Sequence, residues 1–154
     1  MFYKYMFYKI KETKTTDLKY IAIQVLYLTT FGLASLAKWR PIGIPEGFID
    51  RFGETWLGTL PGGLFLPYYT IAVSETLIFA FFLLSIGRLE WVKSSDKMYL
   101  RLGLILSLFV FVILAFGLRL VGDFGGTANT FFYFGVTLFA LYICEKDRST
   151  SQIE

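Results

Sequence analysis

The sequence predicts an all-α integral membrane protein: a four-helix antiparallel bundle with a short amphipathic helix in its first outer loop. Three observations carry this. The 154 residues are 55% hydrophobic and 19% aromatic, with mean hydropathy +0.57, too apolar for an ordinary soluble domain. Apolar runs occupy residues 21–37, 65–86, 102–118 and 130–144, and polar or glycine- and proline-rich stretches separate them. The longest, at about 1.5 Å of helical rise per residue, crosses the roughly 30 Å of a bilayer's hydrocarbon core.

The composition also excludes classes of function. The net charge is only +3, and the basic residues are spread along the chain, so no nucleic-acid partner is expected. The chain has no histidine and a single cysteine, Cys144. It therefore forms no disulfide within itself, and it lacks the imidazoles or multiple thiolates that haem, copper or zinc sites draw on. No cofactor held by His or Cys ligation is expected. Cys144 reads as an unreactive small hydrophobe near the cytoplasmic end.

Residues 1–19 form the first segment. MFYK occurs twice, and lysines lie among aromatic rings, as in an interfacial anchor or a frayed terminus. The run that follows is too long for a cleavable signal peptide and lacks an A-x-A-like site. The first span, 21–37, is uncharged, and Gly32, Ala34 and Ser35 leave it small on one side. Pro41, Pro45 and Pro61 break the next stretch into turns. Within it, residues 46–60 carry Phe48, Ile49, Phe52, Trp56 and Leu57 at helical spacing, predicting one amphipathic helix on the membrane surface. The second span, 65–86, contains a single charge, Glu75. A short charged loop leads to the third span, 102–118, which extends to 121 and carries the small pair Gly103 and Ser107. GDFGGTAN, residues 122–129, reads as a tight turn before the fourth span, and 146–154 as a polar tail. The membrane domain is thus residues 20–145.

Short connections make successive helices antiparallel. Lys4, Lys9, Lys11, Lys14, Lys19, Arg88, Lys93, Lys97, Arg101, Lys146 and Arg148 then fall on one side, and Lys38, Arg40, Arg51 and Arg119 on the other. The positive-inside rule places both termini in the cytoplasm.

The same topology gathers charges at the outer end. Lys38 ends the first span, Arg119 ends the third, and Glu75 lies two to three turns into the second. A carboxylate at lipid depth is costly unless it is paired or turned inward. The expectation is a buried network of Glu75 with Lys38, Arg119 or both. Three roles stay open: a structural latch, a ligand or proton site, and a contact to another subunit. Trp39, Trp56, Tyr68 and Tyr69 lie near this level. They fit either an interfacial aromatic belt or a pocket for a flat ring such as a quinone headgroup.

These landmarks resemble DoxX-like four-helix membrane proteins (the DoxX, DoxD and MauE types). FGLASLAKW, with Gly32 and Lys38, is similar to the family's G-x-x-x-x-x-K stretch. A loop helix, a second span with one glutamate, a Gly87–Arg88 ending and an N-x-x-x-x-F opening from Asn129 to Phe134 follow in the family's order. The resemblance covers roughly residues 20–145. It implies the four-helix fold, a link to quinol or thiosulfate:quinone chemistry in some members, and Lys38 and Glu75 as the positions to carry over. Two features depart from it. TLIFAFF follows Glu75 where the family has a glycine-rich run, and there is no cysteine pair for thiol–disulfide chemistry.

The functional expectation is a non-catalytic accessory subunit of a larger, energy-linked membrane complex in the bacterial inner membrane. Its partners would be lipids and other integral membrane subunits. The alternative is a quinone- or thiosulfate-linked redox protein using Glu75 with Lys38 or Arg119, with quinone as a possible cofactor. The residues by themselves specify no reaction.

Overall fold

The structure is a computed structural model that describes residues 15–92 and 95–151. Residues 1–14 of the segment read as an anchor lie outside the described residues. Among the described residues every regular element is helical. Helix α1 is Thr15–Trp39, α2 is Glu46–Phe52, α3 is Phe65–Gly87, α4 is Met98–Leu120 and α5 is Phe124–Ser151; a 3-10 turn covers Trp56–Thr59. Four of these contain segments long and apolar enough to cross a membrane: Leu18–Trp39, Phe65–Gly87, Met98–Leu120 and Phe124–Asp147. A helix suits such a sequence because it satisfies its own backbone groups where water is absent.

Each long helix buries one stripe. On α3 the stripe is Tyr68, Ile71, Ala72, Glu75, Ile78, Phe82 and Ser85, with the three- and four-residue spacing of a single helical face. On α4 it is Leu100, Gly103, Leu104, Ser107, Val110 and Phe111. The opposite faces are also apolar and remain exposed, as at Leu83, Phe109, Phe131 and Phe139. Helices greasy on every side belong in lipid.

Pairings descend along α1 as they climb α3: Ser35 meets Thr76, Gly32 meets Phe79, Tyr27 stacks on Phe82, and Gln24 bonds Ser85. Gly32 and Gly103 work by receiving a ring. A Cβ on Gly32 would lie 2.9 Å from Phe79, and one on Gly103 would lie 2.8 Å from Phe82. Phe82 belongs to one buried apolar cluster with Tyr27, Phe31, Ile78, Leu104, Phe111 and Leu141. Long side chains carry α1 to α5, where Tyr27 and Thr137 share a hydrogen bond and Lys19 pairs with Asp147 at 2.6 Å.

The two tight corners share one construction. At the end of α3, Glu90 N–H bonds Ser85 O at 3.0 Å and Leu89 N–H bonds Ile86 O, with Leu89 at φ 57°. At the end of α4, Asp123 N–H bonds Leu118 O at 2.9 Å and Gly122 N–H bonds Arg119 O, with Gly122 at φ 74°. Both are Schellman endings, and the left-handed position suits glycine; leucine there costs about 1 kcal/mol. The residue after each left-handed position is acidic, and each caps the next helix. Glu90 accepts from Tyr99 N–H at 3.1 Å and Leu100 N–H at 2.8 Å, while Asp123 accepts from Gly126 N–H at 2.7 Å.

Two sequence expectations need correction. Residues 46–60 do not form one helix: α2 ends at Phe52, and Gly53 folds so tightly that a Cβ there would lie 2.7 Å from Ile49 O. The 122–129 stretch is not one turn, because the Asp123 cap starts α5 at Phe124 and carries Gly125 and Gly126 into the helix. The polar stretch from 146 continues this last helix as far as Ser151.

Candidate functional site

Glu75 lies on the buried stripe of α3 and is only 3% exposed. Lys38 lies in the last turn of α1, where the helix dipole favours a cation. Lys38 Nζ is 2.7 Å from Glu75 Oε2, and about a quarter of the lysine side chain stays open. At that distance the Lys38 ammonium is the one close donor to Oε2 among the described residues, and no further hydrogen bond reaches this buried oxygen. A buried carboxylate whose sole cation is removed loses several kcal/mol of compensation, so the two residues depend on one another.

Hydrogen bonds to the backbone and between side chains fix the helices around the pair. Tyr68 donates its hydroxyl to Lys38 O at 2.8 Å, which ties α3 to the end of α1. Thr76 gives its proton to Ala72 O at 2.7 Å and sits 2.8 Å from both Ser35 Oγ and Trp39 Nε1. With its one proton spent, Thr76 accepts from both neighbours.

Aromatic rings surround this junction. Trp39 and Tyr69 lie 5.7 Å apart, Tyr69 meets Tyr68 edge-on at 5.2 Å, and Phe65 lies 4.5 Å from Tyr69. Phe48 of α2 reaches Tyr68 at 5.2 Å, a contact that the reading of 46–60 as a surface helix did not anticipate. Trp56, expected in the same collar, pairs with Phe116 of α4 at 6.1 Å.

Arg119 is also placed differently from expectation. It is exposed, its guanidinium lies 4.3 Å over the Phe124 ring, and no ion pair among the described residues joins it to Glu75. Of the partners expected for Glu75, namely Lys38, Arg119 or both, Lys38 is the one that pairs with it. The reason is azimuth: Arg119 shares the side of α4 that carries Ala115 and Phe116, which faces the start of α5. The nearby cation that does pair is Arg51 of α2, whose guanidinium binds the Asp123 carboxylate. The Gly126 N–H and then Arg51 hold Asp123 below the usual carboxylate range.

A second polar cluster occupies the opposite end and gave no local signal in the sequence. Glu90, only 2% exposed, accepts from Ser85 Oγ at 2.8 Å, and Gln24 Nε2 donates to the same Ser85 at 2.7 Å. Lys97 Nζ donates to Val92 O at 3.3 Å and lies 4.6 Å over the Tyr20 ring. Tyr20 and Lys19 both reach Asp147. Glu90 sits in a charged loop, where a carboxylate reads as solvated, so only the fold reveals its burial. Among the described residues, no three of His, Cys, Asp and Glu are grouped to hold a metal ion.

Among the described residues, the fold and this site define a class: regular elements that are all helical, four helices able to span a membrane, and a lysine paired with a buried glutamate between the first and second of them. Comparison with protein-family models, with curated proteins and with solved structures gives no match.

Proposed function

We propose that the chain is a DoxX-like integral membrane protein, an antiparallel four-helix bundle that serves as a non-catalytic accessory subunit of a larger membrane complex. The observation that supports this most is the Lys38–Glu75 pair. The carboxylate is compensated within the chain, by a lysine whose own backbone carbonyl is held by Tyr68. Such a pair fixes the register of two helices and asks for no substrate. The apolar exteriors of all four long helices suit lipid and neighbouring transmembrane subunits equally. On this reading α2 lies at the membrane surface, the termini are cytoplasmic by the lysine and arginine bias, and the membrane is the bacterial inner membrane.

A second reading rests on one observation. Glu75 Oε2 is a buried acceptor whose one close donor among the described residues is the Lys38 ammonium. A quinol hydroxyl is a donor suited to that atom, and Trp39, Tyr68 and Tyr69 supply flat surfaces beside it. In that case Glu75 and Lys38 would hold the headgroup, and the quinone would supply the redox chemistry.

Purification from the native membrane in mild detergent separates the two. Stoichiometric partner subunits without extractable quinone support the accessory role; bound quinone on an isolated chain overturns it. Glu75→Gln adds a second readout. Loss of assembly supports the latch, whereas intact assembly with lost quinone supports the site.

A further inference from the structure

Arg119 is left over by everything described so far. Lys19, Lys38, Arg51 and Arg101 each pair with a carboxylate, at Asp147, Glu75, Asp123 and Asp96 respectively. Arg119 has none among the described residues, although it lies in the last turn of a candidate span, where an uncompensated cation is costly unless it meets an interface. Its surroundings are specific. A groove of about 430 Å³ runs between the end of α4 and the start of α5, lined by Ala115, Phe116, Arg119, Thr127 and Phe131. That volume falls within the roughly 300–1,000 Å³ of ordinary ligand sites. Phe116 and Phe131 stand exposed on its walls, and Phe124 holds the guanidinium at the polar rim. Gly122 and Asp123 turn the chain just beyond, so the rim lies where the spans end.

We propose that this groove binds one anionic phospholipid, with an acyl chain against Ala115, Phe116 and Phe131 and the phosphate on Arg119. Charge complementarity selects the occupant. The guanidinium offers a planar fork of donors to phosphate oxygens, and beside the Phe124 ring it remains exposed. The apolar walls give no carboxylate to compete with the phosphate. A lipid with net negative charge is preferred over a zwitterionic one, whose ammonium offsets the attraction. The site is separate from the Lys38–Glu75 pair and does not depend on the accessory-subunit reading.

Native mass spectrometry of the delipidated full chain in detergent tests it, titrated with phosphatidylglycerol or phosphatidylcholine. Wild type is expected to take up one phosphatidylglycerol in preference to phosphatidylcholine. Arg119→Gln is expected to weaken phosphatidylglycerol about fivefold, as one surface cation is worth about 1 kcal/mol toward anionic lipid. Ala115→Trp keeps the charge but fills the groove, and should weaken both lipids. Arg40→Gln, a cation outside the groove, should bind as wild type. Unchanged phosphatidylglycerol binding in Arg119→Gln or in Ala115→Trp overturns the proposal. So does equal uptake of the two lipids by wild type, or a dimer of the delipidated chain that Ala115→Trp abolishes, which would make the groove a contact between copies.

Discussion

Glu90 Oε2 accepts the N–H of Leu100 at 2.8 Å, so the carboxylate that follows the end of α3 also secures the start of α4. The same carboxyl group takes Tyr99 N–H and Ser85 Oγ, and its burial leaves no water to replace them. Glu90→Ala should therefore leave Tyr99 and Leu100 N–H groups unsatisfied and cost about 2 kcal/mol. Hydrogen exchange is the check. Protection at residues 99 and 100 should fall well before protection in the middle of α4, and a uniform response along α4 would remove the assigned role.

Asp123 makes the corresponding cap at the other corner, and its acid sensitivity has a definite sign. Its folded carboxyl titrates below the ordinary value of 3.8, held there first by Gly126 N–H and then by Arg51. As pH falls the unfolded chain takes up the proton first. The stabilisation is thus complete above the ordinary value and disappears as pH drops through the lower, folded value. Asp123→Asn keeps a capping side chain and removes only the charge. The difference in melting temperature between wild type and Asp123→Asn should stay constant above about pH 5 and close below about pH 4. A difference independent of pH would show that the charge contributes nothing.

Two mid-helix glycines offer a matched comparison. A Cβ on Gly103 meets the Phe82 ring at 2.8 Å, whereas one on Gly135 meets nothing within 4 Å. Alanine gains about 1 kcal/mol of helix propensity at either site. At Gly103 the overpacking of a buried ring should outweigh that gain by about 1 kcal/mol. Gly135→Ala should raise the unfolding midpoint and Gly103→Ala should lower it. Equal shifts would mean that Gly103 does not seat the Phe82 ring.

How far the sequence reveals this structure depends on what each residue's neighbours say about it. Glu75 is conspicuous because it is the one charge in an apolar run, and Lys38 because it ends the preceding run. Arg119 was equally conspicuous by depth, but depth does not give azimuth, and the side chain faces the α4–α5 groove instead of Glu75. Trp56 went to Phe116 for a related reason. The break at Gly53 separates it from the Phe48 that does join the collar. Gly125 and Gly126 looked like a turn because glycine is weak in water-exposed helices; the Asp123 cap overrides that preference. Glu90 was hidden altogether, since its partners Ser85, Tyr99 and Leu100, with the Gln24 that bonds Ser85, converge only once α1, α3 and α4 have packed.

The compensation of Glu75 by Lys38 is the claim on which the functional reading stands, and a double-mutant cycle measures it directly. Unfolding free energies in detergent are compared for wild type, Lys38→Met, Glu75→Gln and the double variant. Lys38→Met should cost about 3–5 kcal/mol because it strands a buried carboxylate. The double variant should recover part of that loss, giving a coupling of at least about 1 kcal/mol. Single costs that add to within about 0.5 kcal/mol would contradict the pairing as the element that holds α1 to α3.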